Sequence, residues 1–441
     1  MFNPRKWTRL ALVVMTTLVV GVVAGCSDDD EVGPRNELSQ YDSEVVTAWF
    51  KLFTEITKTE RLSPPVASRA FAYQGVALYE AVSPGLSTHQ SLAGQLNGLE
   101  SVPQPLSGAA YHWPSVANAA LATVARQLYA ETTPASLQLI DDLEASFEAE
   151  FAPTAGATVF ERSVAHGETV GEAIYDWAFG DGYLQYNNCS YNPPQGTGLW
   201  VRTPPQNAPA VQPCWGQLRN FVLDIPSRCE PLPPPPFDDA NPNAPFHIEM
   251  MKVYNVTNTL TTEQRDMALF WADGANTITP PGHWISILNQ LTDSNEWTLD
   301  ISCEAYAKLG VAVGESFISC WRAKYIYNLL RPITCIQNVV NPAWTSPIGT
   351  PPFPEYPSGH STQSGAAAVV LTDMFGHMAF VDHTHGASGL AARSFPRFFD
   401  AAYEAAESRL YGGIHFESAI DEGLRQGECI GEKVLELQFE R

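Results

Sequence analysis

The chain has 441 residues, 45% of them hydrophobic, with 25 basic against 48 acidic side chains and a formal net charge of −23. That length and apolar content suffice for one large folded domain or two fused ones. The acidic balance excludes a general affinity for nucleic acid or anionic membrane surfaces, and it turns any local cluster of cations into a focused anion site.

Residues 1–26 read as a lipoprotein signal. Arg5, Lys6 and Arg9 give a positive start, Leu10 to Val23 is apolar, and Val23-Ala24-Gly25-Cys26 resembles a lipobox, so Cys26 is the expected lipidation site. Ser27 after the cysteine resembles outer-membrane lipoproteins of Gram-negative bacteria. The expectation is an extracytoplasmic protein that meets the membrane only through this lipid. No other run is apolar long enough to span a bilayer. Residues 27–42 are polar and acidic, which suits a flexible tether.

From 43 to 180 the apolar residues recur at three and four, as in AFAYQGVALYEAV, and predict helices over 44–58, 68–81, 113–131, 136–151 and 159–179. Residues 181–246 are rich in proline, asparagine and glycine, with four consecutive prolines at 233–236. That is too long for a passive connection in a compact domain. Trp200, Trp215 and Phe221 point instead to an ordered loop packed on the body. Besides Cys26 there are cysteines at 189, 214, 229, 303, 320, 335 and 429. The odd number leaves at least one unpaired. Cys189, Cys214 and Cys229 share the loop-rich region and are the expected disulfide partners, with the connectivity open. No pair has zinc-site spacing. Helices resume over 262–272, 283–291 and about 303–330, opening a C-terminal region, 247–441, that holds the chemistry.

Three stretches there collect cations, imidazoles and anion-binding backbone. In KYIYNLLRP, Lys324 and Arg331 are seven residues apart, two turns of a helix, and so are expected on one face, with Pro332 stopping the helix at Arg331. In PPFPEYPSGH, prolines hold the approach extended, and Ser358 and Gly359 turn into an apolar helix whose free N-terminal amides attract anions. His360 is placed to project over such an anion. In SRLYGGIH, Gly412 and Gly413 break a helix, which allows Arg409 and His415 to face one ligand. Each stretch alone is also compatible with ordinary structure: a solvated basic face, a serine N-cap, a helical hairpin.

Taken jointly and in this order, the stretches resemble the three-part signature K-x6-RP, PSGH and SR-x5-H of the phosphatidic acid phosphatase and vanadium haloperoxidase superfamily. FWADG at 270–274, TPPGHW at 279–284, and Trp200 with the following CWGQLRNF run resemble bacterial members of the haloperoxidase branch. The resemblance implies an all-α fold of two packed helical bundles with the active site in the C-terminal one, and a 181–246 segment that walls the active-site funnel. It implies vanadate bound through His415, with phosphate as a competing ligand. Lys324, Arg331, Arg409, Ser358 and the Gly359 amide would hold the oxygens, and His360 would act as acid–base. The implied partners are hydrogen peroxide, a halide and a small organic molecule. Phe353, five residues before Ser358, occupies a position that is phenylalanine in chloroperoxidases and histidine in bromoperoxidases.

Two other functions use the same residues. A phosphomonoesterase would have His415 attack phosphorus and His360 protonate the leaving oxygen, and a non-catalytic lipoprotein would use the set only to bind oxyanions. FWADG and TPPGHW favour the peroxidase. One position departs from the signature. The third motif usually continues H-x-x-x-D, with the aspartate orienting the histidine, and here that residue is Ala419. Glu417, Asp421 or a backbone carbonyl are the candidates to take its place.

Overall fold

The computed structural model describes residues 37–224, 229–274 and 276–441, so the signal segment with Cys26 and most of the tether lie outside the described residues. Within them the chain is helical. The helices are α1 (Glu44–Thr59), α2 (Pro64–Val82), α3 (Trp113–Leu128), α4 (Pro134–Ala155), α5 (Ala157–Phe179), α6 (Tyr183–Tyr186), α7 (Pro245–Asn258), α8 (Thr262–Phe270), α9 (Thr279–Ser294), α10 (Leu299–Tyr327), α11 (Pro332–Val339), α12 (Gly359–Phe375), α13 (Phe398–Tyr411) and α14 (Glu417–Val434). One small antiparallel hairpin pairs β1 (Phe380–Asp382) with β2 (Arg393–Phe395) in the register Val381 opposite Ser394. No described helix is long and apolar enough to cross a membrane.

The long α10 is the shared wall of two helical groups. It packs on α2, with α1, α3, α4, α5 and α9 beyond, and on α12, with α13 and α14 beyond. Small residues set how close it comes to α2. A Cβ at Gly75 would lie 2.4 Å from the Tyr306 carbonyl oxygen, and one at Gly310 would lie 2.7 Å from that of Phe71, so both positions require glycine. One core runs through both groups, from Trp49 and Phe53 through Tyr306 and Phe317 to Leu371 and Ile430. A second cluster, including Phe246, Ile336, Tyr356 and Phe416, closes the end that holds the three stretches.

Two sequence expectations need correction and a third is extended. Lys324 and Arg331 do not share a helix face. The helix ends at Tyr327, where Asn328 adopts φ +49 and donates its amide to the Lys324 carbonyl at 2.8 Å. Arg331 is extended and caps the next helix, which begins with Pro332. Proline is well suited to a first helical turn, where its missing N–H would be unpaired anyway, so it starts a helix here rather than stopping one. The second correction is α7, expected as loop or left unassigned. Its apolar face is the triplet Phe246, Met250 and Val253, which the neighbouring prolines obscured. The third adds to the cysteine reading: Cys189, Cys214 and Cys229 are all bonded as expected, and the unforeseen partner is Cys429. Cys189 pairs with Cys214, whereas Cys229 reaches across to Cys429. Cys303, Cys320 and Cys335 are buried thiols.

Candidate active site

The last turn of α10 buries Lys324 completely. Its ammonium donates to the carbonyl oxygens of Pro354 at 3.2 Å, of Glu355 at 2.9 Å, and of Pro357. These carbonyls belong to the proline-rich approach to α12, so the lysine pins that approach to α10. Arg331 is equally buried. Its Nε donates to the Phe353 carbonyl at 2.8 Å and Nη1 to that of Ile414 at 2.9 Å, while Nη2 has no partner among the described residues. The Phe353 ring covers both cations, 5.2 Å from Lys324 Nζ and 4.9 Å from Arg331 Cζ.

Ser358 is the N-cap of α12. Its Oγ accepts from the Ser361 amide at 3.3 Å and from the Ser361 hydroxyl at 2.9 Å, which leaves its own proton available to donate. Gly359 follows as the first helical residue. In the third stretch, Gly413 takes φ +71 between α13 and α14, and this turn brings His415 back beside Arg409. Arg409 donates Nε to Ser408 Oγ at 2.9 Å and Nη2 to the Ala268 carbonyl at 3.3 Å, and its Nη1 faces His360 Nε2 at 3.5 Å. His415 Nε2 lies 3.2 Å from Arg331 Nη1.

The missing third-motif aspartate is replaced by none of the candidates read from sequence. His415 Nδ1 donates to Glu355 Oε1 at 2.8 Å, and the same oxygen accepts the Phe416 amide at 2.8 Å. Glu355 is buried and comes from the approach to α12, sixty residues upstream. The only signal for it was a lone acid among prolines. With Nδ1 protonated toward Glu355, Nε2 keeps its lone pair.

Lys324, Arg331 and Arg409 are all buried, and among the described residues none makes an ion pair with a carboxylate. Buried cations without an anion are costly, and the ionisation equilibria show it. Burial pushes Lys324 down to about 7 and both Arg331 and Arg409 down to about 10. Burial, then Arg331, holds His415 well below the usual imidazole range, and burial, then Arg409, does the same to His360. Burial raises Glu355 to about 8 against the pull of Arg331 and Lys324. Three buried cations, an orphaned guanidinium nitrogen, two neutral imidazoles, a hydroxyl proton and a helix N-terminus form a donor set that fits a tetrahedral oxyanion such as vanadate.

The site opens on a cavity of about 620 Å³, whose wall includes Phe317, Trp321, Phe353, His360, Arg409 and His415. Lys324, Arg331 and Ser358 sit behind that wall with no exposed surface. Thr203, Gln206, Ala208 and Val211 from the proline-rich segment line another part of it. A cluster that sequence reasoning did not identify reaches the cavity through Asp273, whose carboxylate is bonded to His283 and His385.

Residues 338–440 match the family model for the second helical-bundle domain of vanadium chloroperoxidase. Vanadium chloroperoxidase from Curvularia inaequalis is 28% identical over 129 residues, 23% of this chain and 21% of that protein, so the match spans about a fifth of the curated relative. A bacterial vanadium-dependent iodoperoxidase structure superposes with a TM-score of 0.84 and is 36% identical, covering 91% of this chain and 98% of that one. A holo-type bacterial vanadium-dependent chloroperoxidase structure has the same fold, with a TM-score of 0.64 at 19% identity over 86% of this chain and 93% of that one. With that near full-length likeness to the iodoperoxidase and its three motif stretches converged on one site, the chain belongs to the vanadium-dependent haloperoxidase family.

Proposed function

We propose that this protein oxidises halide with hydrogen peroxide, using vanadate held at His415. The observation that carries the reading is the set of three buried cations without carboxylate partners, gathered around an imidazole nitrogen that keeps its lone pair. His415 Nε2 is the ligand atom, and Glu355 fixes its ring by accepting from Nδ1. Arg331, Lys324 and Arg409, the Ser358 hydroxyl and the Gly359 amide supply positive charge and donors for the oxygens. His360 is neutral and half-buried at the cavity wall, where its Nε2 can take and return a proton. When bound, vanadate supplies Lewis acidity without changing oxidation state. Trp321 and Phe353, with ring centroids 4.8 Å apart, give the wall beside the site an apolar face that excludes water and leaves room for a small organic acceptor. The two disulfides support an extracytoplasmic location, with Cys26 as the lipid anchor.

The test is to titrate protein lacking residues 1–26 with orthovanadate and assay it with peroxide plus iodide, bromide or chloride, alongside phosphomonoester hydrolysis by the vanadate-free form. Vanadate-dependent halide oxidation is expected. Brisk ester hydrolysis with no halide turnover would move the assignment to the phosphatases, and oxyanion binding with neither activity would leave a binding protein.

A further inference from the structure

Three charged side chains line the cavity above the site besides its two neutral histidines: Arg61, Asp273 and Arg409. Arg409 is buried beside His360. Asp273 is buried too, with one oxygen 2.9 Å from His283 Nδ1 and the other 2.9 Å from His385 Nε2. Arg61 is the exposed one, so it stands where the cavity meets solvent. Among the described residues its guanidinium makes no salt bridge. The charges next to it in the chain are engaged elsewhere. Glu60 accepts from the Thr133 amide at 3.1 Å and from the Thr133 and Ser136 hydroxyls, and Lys58 lies 3.6 Å from Glu55.

The backbone gives no reason for an arginine at this place. Helix α1 ends in a Schellman turn, in which the Arg61 amide donates to the Lys58 carbonyl at 3.3 Å and the Leu62 amide to the Thr57 carbonyl at 3.0 Å. That turn needs a left-handed residue at its close, and Arg61 has φ +54. Glycine is the usual occupant, because any Cβ there crowds the following carbonyl. Local stability therefore favours glycine at 61, and a residue held against that preference at the rim of a functional cavity points to a use for its side chain.

The charge of the whole chain suggests the use. Halide and orthovanadate are anions, and a protein of formal net charge −23 repels both at low ionic strength. Hydrogen peroxide is neutral and feels no such barrier. A free cation at the mouth offsets the repulsion where an anion must pass. We propose that Arg61 is the entry residue for the anionic reactants, drawing orthovanadate and halide into the cavity towards Arg409 without holding either in the site. For halide the proposal rests on the haloperoxidase reading; for orthovanadate it is tested with no turnover at all.

Arg61→Gly removes the charge and supplies the residue the turn prefers, so its Tm should equal or exceed that of wild type. Orthovanadate association, followed by stopped-flow tryptophan fluorescence at about 10 mM ionic strength, should slow about two- to threefold in Arg61→Gly and about fivefold in Arg61→Glu, while Arg61→Lys stays near wild type. Dissociation rates should not change, because steering acts on encounter. The differences should collapse as ionic strength is raised to about 0.3 M with potassium nitrate, which is not itself a halide. In turnover, kcat/KM for iodide should follow the same order and KM for peroxide should not move. Equal association rates of wild type and Arg61→Glu at low ionic strength would overturn the proposal. So would an equal loss for iodide and peroxide, which would report a damaged wall instead of a missing charge. If the association rates fall in the expected order while no protein turns over any halide, the entry role stands for oxyanions and the haloperoxidase reading falls.

Discussion

Two buried imidazoles, His415 and His283, both bond to carboxylates and end in opposite charge states. His415 has Glu355 on one nitrogen and Arg331 at 3.2 Å from the other, with Lys324 and Arg409 close by, and its pKa is held well below the usual range. His283 has a carboxylate on each nitrogen, and its pKa is raised to about 10. Burial opposes the charged form in both cases. What differs is the balance of neighbouring charge, so one imidazole is neutral and the other is a cation at neutral pH. The cation-rich pocket sets three cations against one acid, Glu355, whereas the carboxylate-rich cluster sets two carboxylates against one imidazolium. Of the two, only the first fits an external oxyanion.

Removing the neutral imidazole should have the largest effect. His415→Ala is expected to weaken orthovanadate binding more than about 100-fold, beyond the range typical of losing an outer partner. His360→Ala should retain vanadate more weakly and lose turnover. Equal orthovanadate affinity of wild type and His415→Ala by calorimetric titration would remove His415 as the ligand.

The next break is at the carboxylate that replaces the missing aspartate. Glu355→Ala should cost roughly 10–100-fold in vanadate affinity, the usual range for a partner that orients a metal-bound histidine. Glu355→Gln can still accept from His415 Nδ1, so it should fall less. If both variants bind as wild type does, Glu355 does not orient the ring.

On the other side, His283→Gln leaves Asp273 and Asp382 buried beside a neutral group and is expected to destabilise the fold by about 3–5 kcal/mol. Because the folded pKa is raised above its unfolded value near 6.5, the stabilisation is complete below pH 6.5 and is lost as pH rises towards about 10. Denaturant titrations of wild type and variant should therefore diverge most near pH 6 and converge towards pH 10. A gap that widens with pH would contradict an imidazolium in the fold.

The smallest effect concerns the ring that covers the cations. Phe353→Leu should lose about 1 kcal/mol of cation–π interaction with Lys324 and Arg331, read as a lower Tm, and should change the ratio of bromide to iodide turnover by less than about tenfold. In the wild type, turnover on bromide and iodide should exceed that on chloride, and steady-state comparison at mildly acidic pH checks this.

Much of this was legible in the chain. The apolar spacing placed α1, α2, α3 and α5 within a few residues of where they lie, because a helix face is a local property of 3.6-residue periodicity. The three motifs named the cations, both imidazoles and the serine of the cationic pocket, but not Glu355. A local rule can have two outcomes: a proline after a helical run is expected to end it, and Pro332 instead begins the next helix. Glu355 was overlooked because its acidic side chain, in a stretch of prolines, carries no sign of the histidine it meets.

The sequence by itself determined the all-helical class, the inventory of cations and imidazoles, and their order. Those follow from short-range spacing and residue type. Only the tertiary structure decided which carboxylate meets which imidazole, and hence which histidine is neutral. Glu355 and His415 are 60 residues apart, His283 and Asp382 are 99, and Asp273 and His385 are 112. Charge state depends on distance in space and on what water is excluded, and packing across α10 and the hairpin sets both.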